Sequence, residues 1–405
     1  MTMLTRREFT LLPRVPWLPL TWFVTRAVGM VLLIRPHYLV SFRVRGDLLL
    51  YADYARHLQS GQVPYRDFAL EYPPAFLPML GWPAGSDTVY ITLFVLSAIL
   101  VDALVQRALH SRKIGRWIWA VAPIALGPLF WARQDVFVAG AAVALVMAAD
   151  RGHWRLAGVA VAIMGLLKLW PLALLVVLLP AVPASGRRRL LEGAGATLTV
   201  ALLPLIALGA GSGLLHVLRF HSERGVEVEA LAAVPMQISA ALGHGPAIEA
   251  AFGCFQFETP VWLRDVMGGA LLAGLAASTA VTHKLRHHGI EASLLTAVVF
   301  TLVTSKVLSP QYFIWAAAAV ALAIDRHPRP RELACGTLSA LLSAQLLFPF
   351  LFIELLLERP SAVFVAVVHG LAVILFAVTT VIPLLPSDRA TDPDEARRPT
   401  EQVAT

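Results

Sequence analysis

An all-α polytopic membrane protein is the fold class this sequence predicts, and three observations carry the prediction. Hydrophobic residues make up 58% of the 405-residue chain and charged residues only 15%. Mean hydropathy is +0.70. Apolar runs recur along the whole chain, with basic residues gathered in the short stretches between them. A soluble domain is typically about 45–50% apolar and about 25% charged. Much of any domain's surface stays wet, so a soluble chain of this length has too little interior for so much apolar area. The bilayer is the simpler solvent.

The chain opens with Arg6, Arg7 and Arg14 ahead of an apolar run at 17–34. A signal peptide begins the same way, but this run is long, contains Arg26 and has no small-residue cleavage site behind it. It reads as an uncleaved first span. Further runs fall at 88–109, 116–131, 134–149, 155–167, 169–183, 189–209, 263–282, 291–306, 310–325, 333–357 and 361–386. Together they predict a bundle of about 12 transmembrane helices. Several are shorter than the roughly 20 residues of a straight span. Those within 134–183 read as short, tilted or broken helices buried among neighbours. One transmembrane domain, 1–386, is expected, with long outer loops at 35–87 and 210–262. The polar, Pro-containing tail at 387–405 reads as disordered and cytoplasmic.

Charge gives the orientation. With the N-terminus in the cytoplasm and every run crossing, Arg107/Arg112/Lys113/Arg116, Arg151/Arg155, Arg187–Arg189, Lys284/Arg286 and Arg326/Arg329/Arg331 all fall inside, as the positive-inside rule asks. The exception is the first outer loop with Arg35, Arg43, Arg45, Arg56 and Arg66, which is long and holds acidic partners. The formal charge of +7 is therefore topological, not a nucleic-acid footprint. Cys254 and Cys335 form no disulfide framework.

The outer ends of the spans carry mixed polar groups instead. They are Asp47, Asp53 and Glu71, then Arg133-Gln134-Asp135, then Lys168, then His221 and Arg224, then Lys306, Ser309 and Gln311. Ionisable groups at membrane depth are costly and mark functional candidates. In DLLLYADYARHLQS (47–60), Leu48, Tyr51, Ala52, Ala55 and Leu58 share one helical face, with Asp53, Arg56 and His57 toward another. This predicts an amphipathic helix lying at the membrane interface, stopped by Gly61. Asp47 opens it, either as an N-cap or as a carboxylate held for general-base work. Arg133 and Asp135 could satisfy each other, Lys168 could snorkel, and Lys306 could pair with a neighbouring carboxylate. Tyr51, Tyr65, Tyr72, Trp82 and Tyr312 suit either sugar stacking or the headgroup belt.

Taken in order, Asp47-Leu48-x-x-Tyr51, Gly61, Pro64-Tyr65 and Glu71-Tyr72-Pro73-Pro74 resemble the first outer loop of glycosyltransferase family 87. Arg133-Gln134-Asp135, Leu166-Leu167-Lys168-Leu169-Trp170-Pro171 and Lys306-Val307-Leu308-Ser309-Pro310-Gln311-Tyr312 extend the resemblance over about 45–315. It implies a GT-C-like bundle in a bacterial plasma membrane, with the site facing outward. It also implies a polyprenyl-phosphate sugar donor, with mannose or arabinose the family's usual cargo, and an envelope glycolipid or glycan acceptor. Asp47 matches the family's base, which deprotonates the acceptor for an inverting attack. Lys168 and Lys306, then Arg133, are the cations expected at the donor phosphate. Tyr51, Asp53, Glu71, Tyr72, Gln134, Asp135, His221, Arg224, Ser309 and Gln311 are expected around the substrates.

No Walker loop, GxSxG elbow or cysteine zinc site is present, and no nucleotide cofactor is implied. A divalent metal at the outer carboxylates is compatible but not demanded. Two other classes compete. A transporter or flippase would show repeated halves and polar groups near the midplane, and a non-catalytic scaffold leaves the one-sided polar cluster unexplained.

Overall fold

The computed structural model describes residues 17–34 and 39–385, with backbone alone at 34 and 39–43. Arg6, Arg7, Arg14, Arg35 and the 387–405 tail lie outside the described residues. Helix dominates. Five helical segments are long and apolar enough to cross a membrane: 87–111, 184–207, 261–284, 330–350 and 360–384. Between them lie shorter apolar helices. In chain order we name α1 (Trp17–Ile34), α2 (Leu39–Gln59), α3 (Asp87–Ala108), α4 (Gly115–Leu126), α5 (Asp135–Asp150) and α6 (Trp154–Leu167). There follow α7 (Ala184–Ala207), α8 (Gly211–Glu223), α9 (Val234–Ala241), α10 (Val261–Lys284), α11 (Ile290–Thr304), α12 (Phe313–Ala323), α13 (Pro330–Gln345) and α14 (Pro360–Val381). The run at 169–183 is a broken helical stretch in which Pro171 and Pro180 interrupt the ladder.

The short helices sit inside. Every residue of α12 is buried, and its alanine-rich surface lets neighbours approach closely. A Cβ on Gly115 would lie 1.9 Å from the Ala321 carbonyl oxygen, so α4 rests directly on α12. Likewise a Cβ on Gly158 would lie 1.9 Å from the Leu190 oxygen, and one on Gly193 2.0 Å from that of Arg155. Small residues thus set α6 against α7, the contact that dispersion rewards where lipid removes the hydrophobic drive.

The bundle has two distinct ends. At one, Arg112 pairs with Asp150 at 3.3 Å, Arg112 and Arg326 both approach Glu291, and Asp325 accepts the Ile114 and Gly115 N–H groups. At the other lie the start of α5 at Asp135 and the ends of α6 and α11, followed by Lys168 and Lys306. Between the ends, Arg26 of α1 grips Asp102 of α3 through Nε and Nη2 at 2.8 and 2.7 Å. The Trp119 and Trp131 indole N–H groups donate to the same carboxylate.

Two expectations are corrected. Asp47 does not open its helix: α2 starts at Leu39, so Asp47 is interior and no N-cap. Gly46 weakens the helix locally, but burial of Val44, Leu48 and Tyr51 on one side carries it through. The apolar stripe is real, with Leu48, Tyr51, Ala52 and Ala55 fully buried, and it packs on the protein itself. Tyr51 sits among Tyr72, Phe76 and Phe94. Arg56, on the open face, pairs with Asp53 and Asp87. Gly61 ends the helix at φ +85°. The second correction is that the fold is not purely helical. The 210–262 connection holds a three-stranded antiparallel sheet, order β1 (Val226–Glu227), β3 (Cys254–Phe257), β2 (Ile248–Ala251).

Candidate functional site

Where the two long connections meet, a pocket of about 80 Å3 opens at the Asp135 end of the bundle. Its lining falls into two sets by chain origin: Asp47, Glu71, Tyr72, Pro73 and Lys168 come before residue 200, and His221, Arg224, Glu227, Phe252, Cys254, Ser309, Gln311 and Tyr312 after it.

The first set is assembled on α5. Arg133, just before it, is buried and places Nε 2.8 Å from Asp47 Oδ2, while its Nη1 donates to the Val44 and Ala132 carbonyls. Asp47 Oδ1 has no partner among the described residues. Asp135, two residues on, lies 3.6 Å from Lys168 Nζ, which also sits 5.0 Å over the Tyr312 ring. Arg133 and Asp135 therefore do not satisfy each other. Each holds a different pocket residue, Asp47 and Lys168, and this is possible because the turn before α5 points them apart. Tyr312 stacks on Trp315 of α12 at 4.3 Å, which in turn lies against Trp170. Glu71 is half-buried, and burial first, then the Asp47 charge, raises its pKa.

The second set hangs on the sheet. Glu227 Oε1 accepts the Ser309 hydroxyl at 2.7 Å and lies 3.7 Å from Arg224 Nη2. The Glu227 N–H donates to the Lys306 carbonyl, which ties β1 to the 305–312 connection. Burial is the largest influence on Arg224 and opposes its charge, but Glu227, Tyr312 and Cys254 together more than offset it and the pKa is raised. Burial, then Arg224 and Lys168, lowers the His221 ring to about 4, so it is neutral at physiological pH. Burial, then Glu227, pushes the Cys254 thiol up to about 11, which makes it an unreactive wall. The β2–β3 turn carries Phe252 at φ +52° and Gly253 at φ +68°, the tight-hairpin geometry that favours glycine. A Cβ on Gly253 would stand 3.2 Å from Glu71 Oε2, so the hairpin tip rests against the first connection.

Of the residues singled out in the sequence, Asp47, Glu71, Tyr72, Lys168, His221, Arg224, Ser309 and Gln311 line this pocket. Arg133 and Asp135 stand behind it. Tyr51 backs Tyr72, Gln134 is buried, and Asp53 faces away with Arg56. Lys306 donates to the Ser222 carbonyl at 2.7 Å, beside His221, instead of pairing with a carboxylate. Glu227 and Phe252 were not anticipated; the alternation Val226-Glu227-Val228-Glu229 was the available sign of a strand with one acidic face. Among the described residues, no group of three or more His, Cys, Asp or Glu is arranged to hold a metal.

A search of curated proteins gave no match. The sequence profile described as glycosyltransferase family 87 matches residues 68–310, more than half of the chain and all but Asp47 and Gln311–Tyr312 of the pocket wall. With that match laid over a bundle of apolar helices and this polar pocket, the chain belongs to glycosyltransferase family 87 and is a membrane glycosyltransferase.

Proposed function

We propose that the chain moves a hexose or pentose, mannose foremost, from a polyprenyl-phosphate donor to an envelope glycolipid or glycan. The reaction is a single inverting displacement at the outer face of the bacterial plasma membrane. One observation carries the reading: a carboxylate, Asp47, and a cation, Lys168, line one pocket while each is anchored to the same turn before α5.

Asp47 is the base. Arg133 occupies Oδ2 and fixes the carboxylate, and Oδ1 takes the proton from the acceptor hydroxyl as that oxygen bonds to the anomeric carbon. The bond from anomeric carbon to phosphate oxygen breaks, and the lipid phosphate leaves with the negative charge. Lys168 and Arg224, the lysine and arginine of the pocket wall, stand where that charge develops, with Lys306 adding field from behind Ser222. The lipid part of the donor has a matching surface. Leu167 precedes Lys168 and Ala75 follows Pro73 by two; both line an apolar groove with Val101, Leu104, Phe137 and Ala141, between α3, α5 and α6.

Asp47→Asn in membrane vesicles given labelled polyprenyl-phosphate sugar should cut transfer by about 10²–10⁴-fold, with expression and donor binding kept. Full transfer would remove Asp47 from the mechanism, and substrate uptake without transfer would favour a transporter.

A further inference from the structure

We infer that Glu227 is a hydroxyl-reading residue for the sugar being transferred, and that the pocket around it is the donor-sugar subsite. The inference rests on the lipid-linked-sugar reading above. It starts from an imbalance at one carboxylate. Glu227 is 3% exposed and lines the pocket. Its Oε1 is engaged by the Ser309 hydroxyl and by Arg224. Among the described residues no donor reaches its Oε2, which is buried. A buried carboxylate oxygen without a donor costs about 1–3 kcal/mol or more, so this position favours a ligand that brings one.

The position is held firmly enough to discriminate. Glu227 belongs to β1, paired with Gln256 of β3, and its N–H is bonded to the Lys306 carbonyl. Ser309 and Arg224 then fix the rotamer from two other segments. Glu229, two residues beyond β1's last residue, has a similarly unpartnered Oε1, but it does not line the pocket. Of these two glutamates, Glu227 is the one placed to meet a substrate.

Charge says what that substrate group is. A carboxylate repels phosphate oxygens and accepts hydroxyl hydrogens. Glu227 lies 3.7 Å from Arg224, one of the cations assigned to the leaving phosphate, and shares the pocket with Asp47, which meets the acceptor. The hydroxyl-bearing group that fits between acceptor and phosphate is the donor sugar. The Glu227 Oε2 atom accepts one of its ring hydroxyls, and Ser309 keeps Oε1 occupied so that only one oxygen is free to choose.

The test compares wild-type protein, Glu227→Gln and Ser309→Ala in proteoliposomes. They are supplied with polyprenyl-phosphate hexoses and pentoses, and then with every monodeoxy analogue of the donor that the wild type uses. Glu227→Gln should lower kcat/KM by about 10- to 100-fold, chiefly through donor KM, the worth of a hydrogen bond to a charged group. One monodeoxy donor should cost the wild type a similar factor and cost Glu227→Gln little more, because both changes remove the same bond. Ser309→Ala should show a smaller loss with the same deoxy signature, which keeps the test readable if Glu227→Gln fails to fold. Losses that simply multiply for every deoxy donor, or undiminished activity of Glu227→Gln, would overturn the assignment. If the wild type uses no polyprenyl-phosphate sugar at all, the donor reading falls first, and that outcome is distinct from additive losses on a working donor.

Discussion

Two buried charge clusters in this molecule are built alike in residue type and differ in how completely they are closed. Within the bundle, Asp102 receives Arg26 through two nitrogens and two indole N–H groups, and Arg26 spends a further donor on the Ala120 carbonyl. Every oxygen of that carboxylate is spoken for. At the pocket and just behind it, Oε2 of Glu227, both oxygens of Asp135 and both polar atoms of the Gln134 side chain lack hydrogen-bond partners among the described residues. A closed network fixes helices against one another; an open one is shaped for something that arrives.

That contrast can be broken most visibly at Asp102. Asp102→Ala leaves Arg26 buried and uncompensated, so stability should drop by about 3–5 kcal/mol, read by thermal unfolding in detergent. Transfer per folded molecule should stay at the wild-type level. An activity loss without destabilisation would move Asp102 into the functional class. Asp135→Asn should do the reverse. It removes a charge that no hydrogen bond satisfies, so unfolding should be unshifted or later, while kcat/KM falls by about 10-fold or more as Lys168 loses its anchor. A destabilised but fully active Asp135→Asn would erase the distinction between the two clusters.

The smallest effect is a pH dependence. Burial first, then Arg264 and Arg224, lowers the Lys306 ammonium from 10.5 to about 8. Because the folded value lies below the unfolded one, the cost of burying the charge is present below about pH 8. It is relieved toward pH 10.5, so this group's contribution to stability rises with pH in that window. Donor binding should move the opposite way, with KM climbing above pH 8 as the cation is lost. Lys306→Arg should flatten that limb of the profile; an unchanged limb would show that Lys306 does not feel the donor.

The parts legible in sequence were those that a single residue's solvent dictates. Apolar runs located the helices, and the alternation of Leu48, Tyr51, Ala52 and Ala55 named the buried face of α2 before any contact was known. Polar groups stranded beside apolar runs gave most of the pocket wall. Partner choice was not legible. Arg133 and Asp135 are two residues apart and of opposite sign, so local reasoning pairs them, yet their mates lie in α2 and at the end of α6. The start of α2 was hidden because Gly46 weakens the helix locally while tertiary packing of Val44 and Leu48 restores it. The sheet went unseen because two of its strands are only four residues long and embedded in a helical chain, although Phe252-Gly253 between Ile248–Ala251 and Cys254–Phe257 marks a tight hairpin in retrospect.

The turn before α5 has a practical meaning for anyone wishing to alter the enzyme. Asp47 and Lys168 come from distant stretches of chain, but each is moored to one end of a three-residue unit, and the gap between them is as constant as the backbone of Arg133-Gln134-Asp135. The sheet that carries Glu227 is moored elsewhere. On the reading proposed above, substitutions on the strands would change sugar preference without altering the gap between Asp47 and Lys168.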